Sequence, residues 1–291
     1  MKIISSLKKW RKSLDPQNPF FRFTVFLLKC YFYVKFKFNA FREWLSTVPR
    51  RLGYRDPKFE KLRALKDAYK GKRCFIACTG PSLTIEDLES LKDEYVFGMN
   101  SICMIHDKTN WKPDFFAIQD VNVYKKIEST ILNTDNGLCM APYGLKKIFN
   151  TPDDWVYFPM CGSYHLFELQ YQNKFFSRFS SNPYVTVYDG YSITYSIMQL
   201  AIYMGFKEIY LIGCDCNYMG QQQHFIEHGH MEKKAEQATD KLTSAYMQAK
   251  ISSDKLGVKI YNSTRGGLLE VYPRKTIEEV LSKQEMNKRQ N

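Results

Sequence analysis

No stretch of this 291-residue chain approaches the ~20 consecutive apolar residues that cross a bilayer, because lysines and arginines interrupt its N-terminal apolar cluster. That cluster sits too far in, and lacks a small-residue cleavage site, for a secretory signal peptide. The eight cysteines, at 30, 74, 78, 103, 139, 161, 214 and 216, include no C-x-x-C pair, and Cys214-Asp215-Cys216 has no second pair to complete a zinc site. With no export signal, they are read as reduced, mostly buried thiols of a cytosolic protein. No Asp-x-Asp stands where it could hold a nucleotide-bound divalent ion; Asp153 and Asp154 are adjacent and follow Pro152. Internal repeats and low-complexity tracts are also missing. At 44% apolar and 25% charged residues, disorder, collagen and a disulfide scaffold are excluded. The length suits one large domain or two small ones.

What the chain has is an uneven charge. Thirteen of its 42 lysines and arginines, against two of its 30 acids, fall in residues 1–55, which leaves a nearly neutral body. A generally basic nucleic-acid binder does not look like this, and no RNA-binding motif is present, so no nucleic-acid partner is expected. The same segment is aromatic, with Trp10, Phe20, Phe23, Phe26, Tyr31, Phe38, Phe41 and Trp44 among the bases. Rings interleaved with lysine and arginine suit the headgroup layer of an anionic membrane. Two readings stand: a peripheral membrane arm, or a helical hairpin packed on the body. The pattern is untidy, since Val34-Lys-Phe-Lys-Phe38 alternates with period two. The domain division expected is a basic aromatic arm over 1–55 and a body over 56–291.

The body alternates strand and helix signals. Apolar runs predict strands at 73–78, 95–99, 114–119, 137–141, 155–158, 184–188, 208–213 and 258–261. Helical spacing marks 56–70, 84–92, 121–132, 191–204, 231–256 and 276–285. Gly205 fits the cap of the helix before the strand at 208–213. The fold class expected is α/β: a Rossmann-like, mainly parallel sheet with helices on both faces. Ligands of such sheets sit beyond the carboxyl ends of the strands. Thr79–Ser82, Asn100, Gln119, Asp120 and Asp215–Tyr218 should then share one rim.

Three features at that rim carry chemistry. Cys78-Thr79-Gly80-Pro81-Ser82-Leu83 lacks the lysine of a P-loop and is not G-x-G-x-x-G. It places Gly80 at a strand-to-helix turn with Ser82 as helix N-cap, an arrangement that suits a phosphate or is simply a capped turn. Three of the five histidines, His224, His228 and His230, lie within seven residues. An imidazole near its unperturbed pKa can take a proton from a hydroxyl at neutral pH. His224-Phe-Ile-Glu-His228 also matches the H-x-x-E-H zinc-protease signature, but Gly229 weakens the required helix and no third ligand stands out. A structural histidine cluster is the remaining alternative. Without a metal, the charge of a phosphate leaving group falls to hydroxyls, N–H groups or bases: Tyr218, Ser192, Thr194 and Arg265 are the candidates. Ser192 and Thr194 serve equally as helix caps, and Tyr218 as a core-edge tyrosine.

Three segments together resemble known families: Thr79-Gly-Pro-Ser-Leu83, Gly205-Phe-Lys-Glu-Ile-Tyr-Leu-Ile-Gly-Cys-Asp215 and His224-Phe-Ile-Glu-His228. They are similar to the bacterial lipooligosaccharide sialyltransferases (glycosyltransferase family 42). They also resemble the related family of 6-hydroxymethylpterin diphosphokinase-like proteins and flagellin motility-associated glycosyltransferases. The similarity covers roughly 73–262. It implies a metal-independent, inverting transfer from a CMP-activated sialic-acid-like sugar, with no resident cofactor. It makes His228 the general base and puts Tyr218 near the phosphate. It points to Gly80 and Ser82 as nucleotide contacts and to Asn100 as a donor contact; Thr79, Pro81, Asp120, Ser192, Thr194 and Asp215 complete the expected nucleotide site. Thr79 replaces the family's usual asparagine, and only residues 216–223 separate Asp215 from His224, where the family has a longer lid. The partners implied are a CMP-sugar donor, a glycan or lipid-linked glycan acceptor of lipopolysaccharide or capsule assembly, and the inner face of the cell membrane. A homo-oligomer is compatible with the sequence. The rival readings are an ATP-dependent diphosphokinase and a non-catalytic membrane-bound scaffold.

Overall fold

The computed structural model describes residues 17–163, 175, 177–217, 224–226 and 235–282. The chain divides into two compact units, residues 1–49 with 162–175, and residues 50–161 with 176–291.

The first unit is dominated by α1, Pro19–Arg51, a 33-residue helix that runs on into the second. Asn18 starts it by accepting the Phe20 N–H at 2.9 Å. Later in the unit, Glu43 accepts the N–H groups of Gly162 and Ser163 at 3.2 and 3.1 Å. The alternation at residues 34–38 resolves as helix. On a helix, Phe20, Phe23, Leu27, Tyr31, Val34, Phe38, Phe41 and Leu45 are spaced by three or four residues, and all are exposed. At 100° per residue they share an arc of about 80°. Arg22, Lys29, Lys35 and Arg42 fall outside that arc. No described helix is long and apolar enough to cross a membrane.

The second unit is an α/β fold around a parallel sheet. Its strands are β1 (Arg73–Ala77), β2 (Tyr95–Met99), β3 (Phe115–Ala117), β4 (Leu138–Pro142), β5 (Val156–Phe158), β8 (Glu208–Ile212) and β9 (Lys259–Asn262). They lie in the order β5-β4-β3-β2-β1-β8-β9, and every pairing is parallel. A separate parallel pair joins β6 (Met160–Cys161) to β7 (Val187–Tyr188). Helix α2 (Glu60–Ala64) precedes β1, and the crossovers carry α3 (Ile85–Ser90), α4 (Val121–Asn133), α5 (Tyr143–Phe149), α6 (Ile193–Tyr203) and α7 (Ala235–Lys255). A last helical turn spans 277–282.

Both faces of the sheet are covered, so its central strands read as unbroken apolar runs. Along β1 and just past it, Cys74, Ile76 and Cys78 enter one core cluster, while Phe75 and Ala77 enter the other. In β8, Ile209 and Leu211 alternate with Tyr210 and Ile212 in the same way. At the amino end, Tyr69, Tyr95, Phe97, Phe115 and Phe206 interlock, with ring centroids 4.4–6.3 Å apart.

Some elements differ from the sequence expectation. The stretch 56–70 yields only a 3₁₀ turn (Pro57–Phe59) and the short α2. Beyond α2, the N–H groups of Asp67, Tyr69 and Gly71 turn away to carbonyls of Tyr203, Met204 and Gly205. Those bonds replace the helical ladder. Gly205 takes a φ of +100° just past α6, and a Cβ there would sit 2.9 Å from Lys70 Cα. Helix α5 and a 3₁₀ segment at Asn100–Ile105 had no distinct sequence signal.

Phe206 is fully buried in the aromatic cluster. Phe206→Ala should destabilise the fold by about 3–5 kcal/mol, read as a lower urea midpoint with little change in slope.

Candidate functional site

β1 has β2 on one side and β8 on the other: from β1 the chain steps outward through β2 to β5, then returns to build β8 and β9 on the opposite side. This is the topological switch point, where a crevice opens beyond the carboxyl ends of the strands. The pairing of Ala77 with Ile212 brings the turn after β1 beside the turn after β8.

These two turns are locked together. Gly80 donates its N–H to the Gly213 carbonyl at 2.8 Å. Ser82 donates its hydroxyl to Asp215 Oδ2 at 2.8 Å, and its N–H approaches the same oxygen at 3.4 Å. A Cβ on Gly80 would fall 2.0 Å from Asp215 Oδ2, so glycine is required by contact. Burial pushes the Asp215 carboxyl above the usual aspartate range, with the Ser82 bonds opposing it. Behind Asp215, the loop after β9 donates the Leu268 N–H to the Asp215 carbonyl at 2.7 Å. The same loop accepts the Cys214 N–H on Thr264 Oγ1 at 2.9 Å.

The expected N-cap changes identity. Thr84, not Ser82, caps α3: its hydroxyl accepts the Asp87 N–H and Asp87 returns a bond to the Thr84 N–H. Ser82 is instead drawn to the buried carboxylate. With Gly80 and Ser82 N–H groups engaged inside the fold, the turn is more a clamp on Asp215 than an open anion cradle.

The histidine loop meets this clamp. Phe225 donates its N–H to the Thr79 carbonyl at 2.7 Å. Phe225 and Ile226 pack on the cluster containing Phe75, Leu83 and Ile212, with half-buried His224 beside them. His228, His230 and Tyr218 lie outside the described residues. Asn100 ends β2 with a φ of +48°, and among the described residues its buried Oδ1 has no hydrogen-bond partner.

Other candidates are engaged locally. Asp120 is exposed and caps α4, accepting the N–H groups of Asn122 and Val123. Gln119 bonds Ser196 and Asp189. Ser192 caps α6 and lies 3.4 Å from Tyr246 Oη. Thr194 is buried between Cys78 Sγ at 3.4 Å and Met99 Sδ at 3.5 Å, so its hydroxyl faces the core. Arg265 is ion-paired with Asp87.

The sequence reading missed one cluster. Cys78, Cys214 and Cys216 meet beneath the clamp, and Cys214 Sγ lies 3.5 Å from Tyr246 Oη. Burial pushes the Cys78 thiol and the Tyr246 phenol up, whereas bonds from Cys216 and Cys78 hold the Cys214 thiol down. The signal was their placement: one thiol ends β1 and two flank Asp215.

A family model described as "6-hydroxymethylpterin diphosphokinase MptE-like" matches residues 54–221, more than half of the chain. The chain belongs to the MptE-like family. The matched span takes in the Gly80 clamp, Asn100 and Asp215, and it stops short of His224. No curated protein matches the sequence. Among solved structures, the MAf glycosyltransferase from Magnetospirillum magneticum AMB-1 is similar at 15% identity and a TM-score of 0.46. That match covers 78% of this chain but only 40% of the other. A single-residue variant of the sialyltransferase CST-II in complex with CMP is similar at 18% identity and a TM-score of 0.44, over 70% of this chain and 86% of that one. The sialyltransferase CstII from Campylobacter jejuni, in complex with a substrate analogue, cytidine-5'-monophosphate, gives 16% identity and a TM-score of 0.39, over 69% and 84%.

Asp215 supplies a pH test. Its folded pKa is raised above the ~3.9 of an unfolded aspartate. Above pH ~4 the native state therefore holds more proton than the unfolded chain, and this group's contribution to stability falls as pH rises through the raised value. Asp215→Asn removes the dependence. Wild-type stability relative to Asp215→Asn should decline from about pH 4 towards neutrality, as read from paired urea melts; an opposite slope would refute the assignment.

Proposed function

We propose that this MptE-like chain is an inverting glycosyltransferase that moves a sialic-acid-like sugar from a CMP donor to a glycan acceptor without a metal ion. The observation that carries this reading is the Phe225 N–H bond to the Thr79 carbonyl, which ties the histidine loop to the switch-point turn.

In the proposed step, neutral His228 accepts the proton of the acceptor hydroxyl as its oxygen bonds to the donor's anomeric carbon. The bond from that carbon to the phosphate oxygen breaks, and CMP leaves with the electron pair. Tyr218 and the Thr79 hydroxyl stabilise the departing phosphate. Asn100 Oδ1 is suited to accept from a nucleotide amino or hydroxyl group, which would satisfy an acceptor now buried without a partner. Asp215 positions Ser82 and the turn rather than touching the reacting atoms.

A second reading follows from the family description: pyrophosphoryl transfer from ATP to a pterin-like alcohol, with AMP leaving. For the arm, the exposed stripe of α1 supports peripheral binding at an anionic membrane face, the apolar arc entering the headgroup layer with its bases alongside.

His228→Ala should keep the wild-type thermal midpoint and its stabilisation by CMP while losing roughly 100-fold or more in transfer. Wild-type turnover in this variant would remove His228 from the chemistry. Transfer that survives EDTA and releases CMP supports the glycosyl reading; EDTA-sensitive release of AMP supports the diphosphokinase. A chain stabilised by no nucleotide would be a scaffold. Separately, the full chain should float with phosphatidylglycerol vesicles, and Phe23→Ser with Phe38→Ser should leave it in the pellet fraction with an unchanged melting point. Equal flotation of both would overturn the membrane role of the stripe.

A further inference from the structure

Beyond the switch point, the carboxyl end of β9 opens into a cavity of about 420 Å³ lined by residues 262–266 and 274–279. This volume falls in the range of small-molecule sites. Its walls are tied to the sheet. Ser263 donates its N–H to the Leu211 carbonyl, and the segment 273–275 runs beside Asn262 as a short parallel bridge.

Most polar groups in the walls already have partners. Asn262 bonds the Leu269 carbonyl and the Thr264 N–H. Arg265 pairs with Asp87, and Arg274 with Glu270 and the Thr264 carbonyl. Glu279 accepts the Thr276 N–H. Its neighbour Glu278 is held below the usual carboxyl range by its own backbone N–H and by Thr276.

Two groups stand apart among the described residues. Ser263 is 6% exposed, and its Oγ is buried without a hydrogen-bond partner. A buried hydroxyl in that state costs free energy until something meets it. Lys275 has no carboxylate partner among the described ion pairs; its Nζ lies 3.5 Å from the centroid of the Tyr261 ring. The ring holds the ammonium in place without neutralising it. Ser263 and Lys275 are both among the residues lining the cavity, and a serine beside an uncompensated cation matches a ligand that carries both hydroxyls and an acid.

We propose that this cavity binds an acidic sugar unit, its carboxylate or phosphate ester on Lys275 and a sugar hydroxyl on Ser263. Arg265 and Arg274 add positive potential despite their partners, against Glu278 and Glu279. The site is separate from the switch-point crevice and does not depend on the reaction proposed there.

The test is saturation-transfer NMR titration of the full chain with glucuronate, glucose 6-phosphate and glucose, which share one ring and differ in the group at carbon 6. Glucuronate, glucose 6-phosphate or both should bind at least about tenfold more tightly than glucose. Whichever acid binds identifies the group recognised. Lys275→Gln should weaken that acid about tenfold or more and Lys275→Arg should retain it, while Ser263→Ala weakens it severalfold. The two Lys275 variants should melt like the wild type, Ser263→Ala at or above it, and all three should keep its response to CMP. Failure of both acids to bind, equal binding of glucose, or wild-type affinity in Lys275→Gln would overturn the proposal.

Discussion

The functional end of this fold depends on one buried carboxylate. Asp215 leaves the sheet after β8 and is met from the neighbouring strand by the Ser82 hydroxyl, with Gly80 pressed against it. A buried charge is costly unless hydrogen-bonded, and burial raises its pKa against the Ser82 bonds. The clamp therefore needs both partners: a residue without Cβ at 80 and a hydroxyl at 82. From it extend the other parts of the site. The Asp215 carbonyl holds the loop after β9, and Thr79, one residue before Gly80, holds the histidine loop.

The sheet was legible in the sequence because its central strands are buried on both faces. β1, β2 and β8 stand as short apolar runs ended by glycine, asparagine or aspartate, with no polar face to confuse the period. α1 was less legible for the opposite reason. Its apolar stripe is spread over 33 residues, and a five-residue window around Phe36 shows alternation instead. Only the full helical spacing from Phe20 to Leu45 gathers eight of its exposed apolar residues on one arc, with Phe26, Tyr33 and Trp44 exposed outside it. The helix after Phe59 is short because the following N–H groups of Asp67, Tyr69 and Gly71 bond carbonyls 203–205, partners that local spacing does not encode.

The site was legible as a neighbourhood and less so as a set of roles. Strand-end positions placed Thr79–Ser82, Asn100 and Asp215 on one rim, as parallel topology requires. Which hydroxyl caps and which clamps was decided by partners far away. Thr84-Ile-Glu-Asp87 carries a capping box that could have been read, whereas the Ser82–Asp215 bond spans 133 residues and leaves no local trace. Thr194, an acceptable cap by type, packs on sulfur, and the three thiols under the clamp come from two strand ends that only the fold brings together.

The occupied donors also bear on the choice of reaction. Pyrophosphoryl transfer from a triphosphate gathers several negative charges at the site, which such enzymes meet with divalent ions and cationic or N–H-rich cradles. In this rim the Gly80 and Ser82 N–H groups are turned into the fold, and the Arg265 guanidinium is held by Asp87. A glycosyl transfer asks less, since a single phosphate departs and its charge can be met by one or two hydroxyls. The Asn100 Oδ1, buried with no hydrogen-bond partner among the described residues, complements the amino or hydroxyl groups of either nucleoside, so the phosphate count alone separates the two reactions. A rim whose Gly80 and Ser82 donors are engaged inside the fold is therefore better matched to a donor carrying a single phosphate than to a triphosphate.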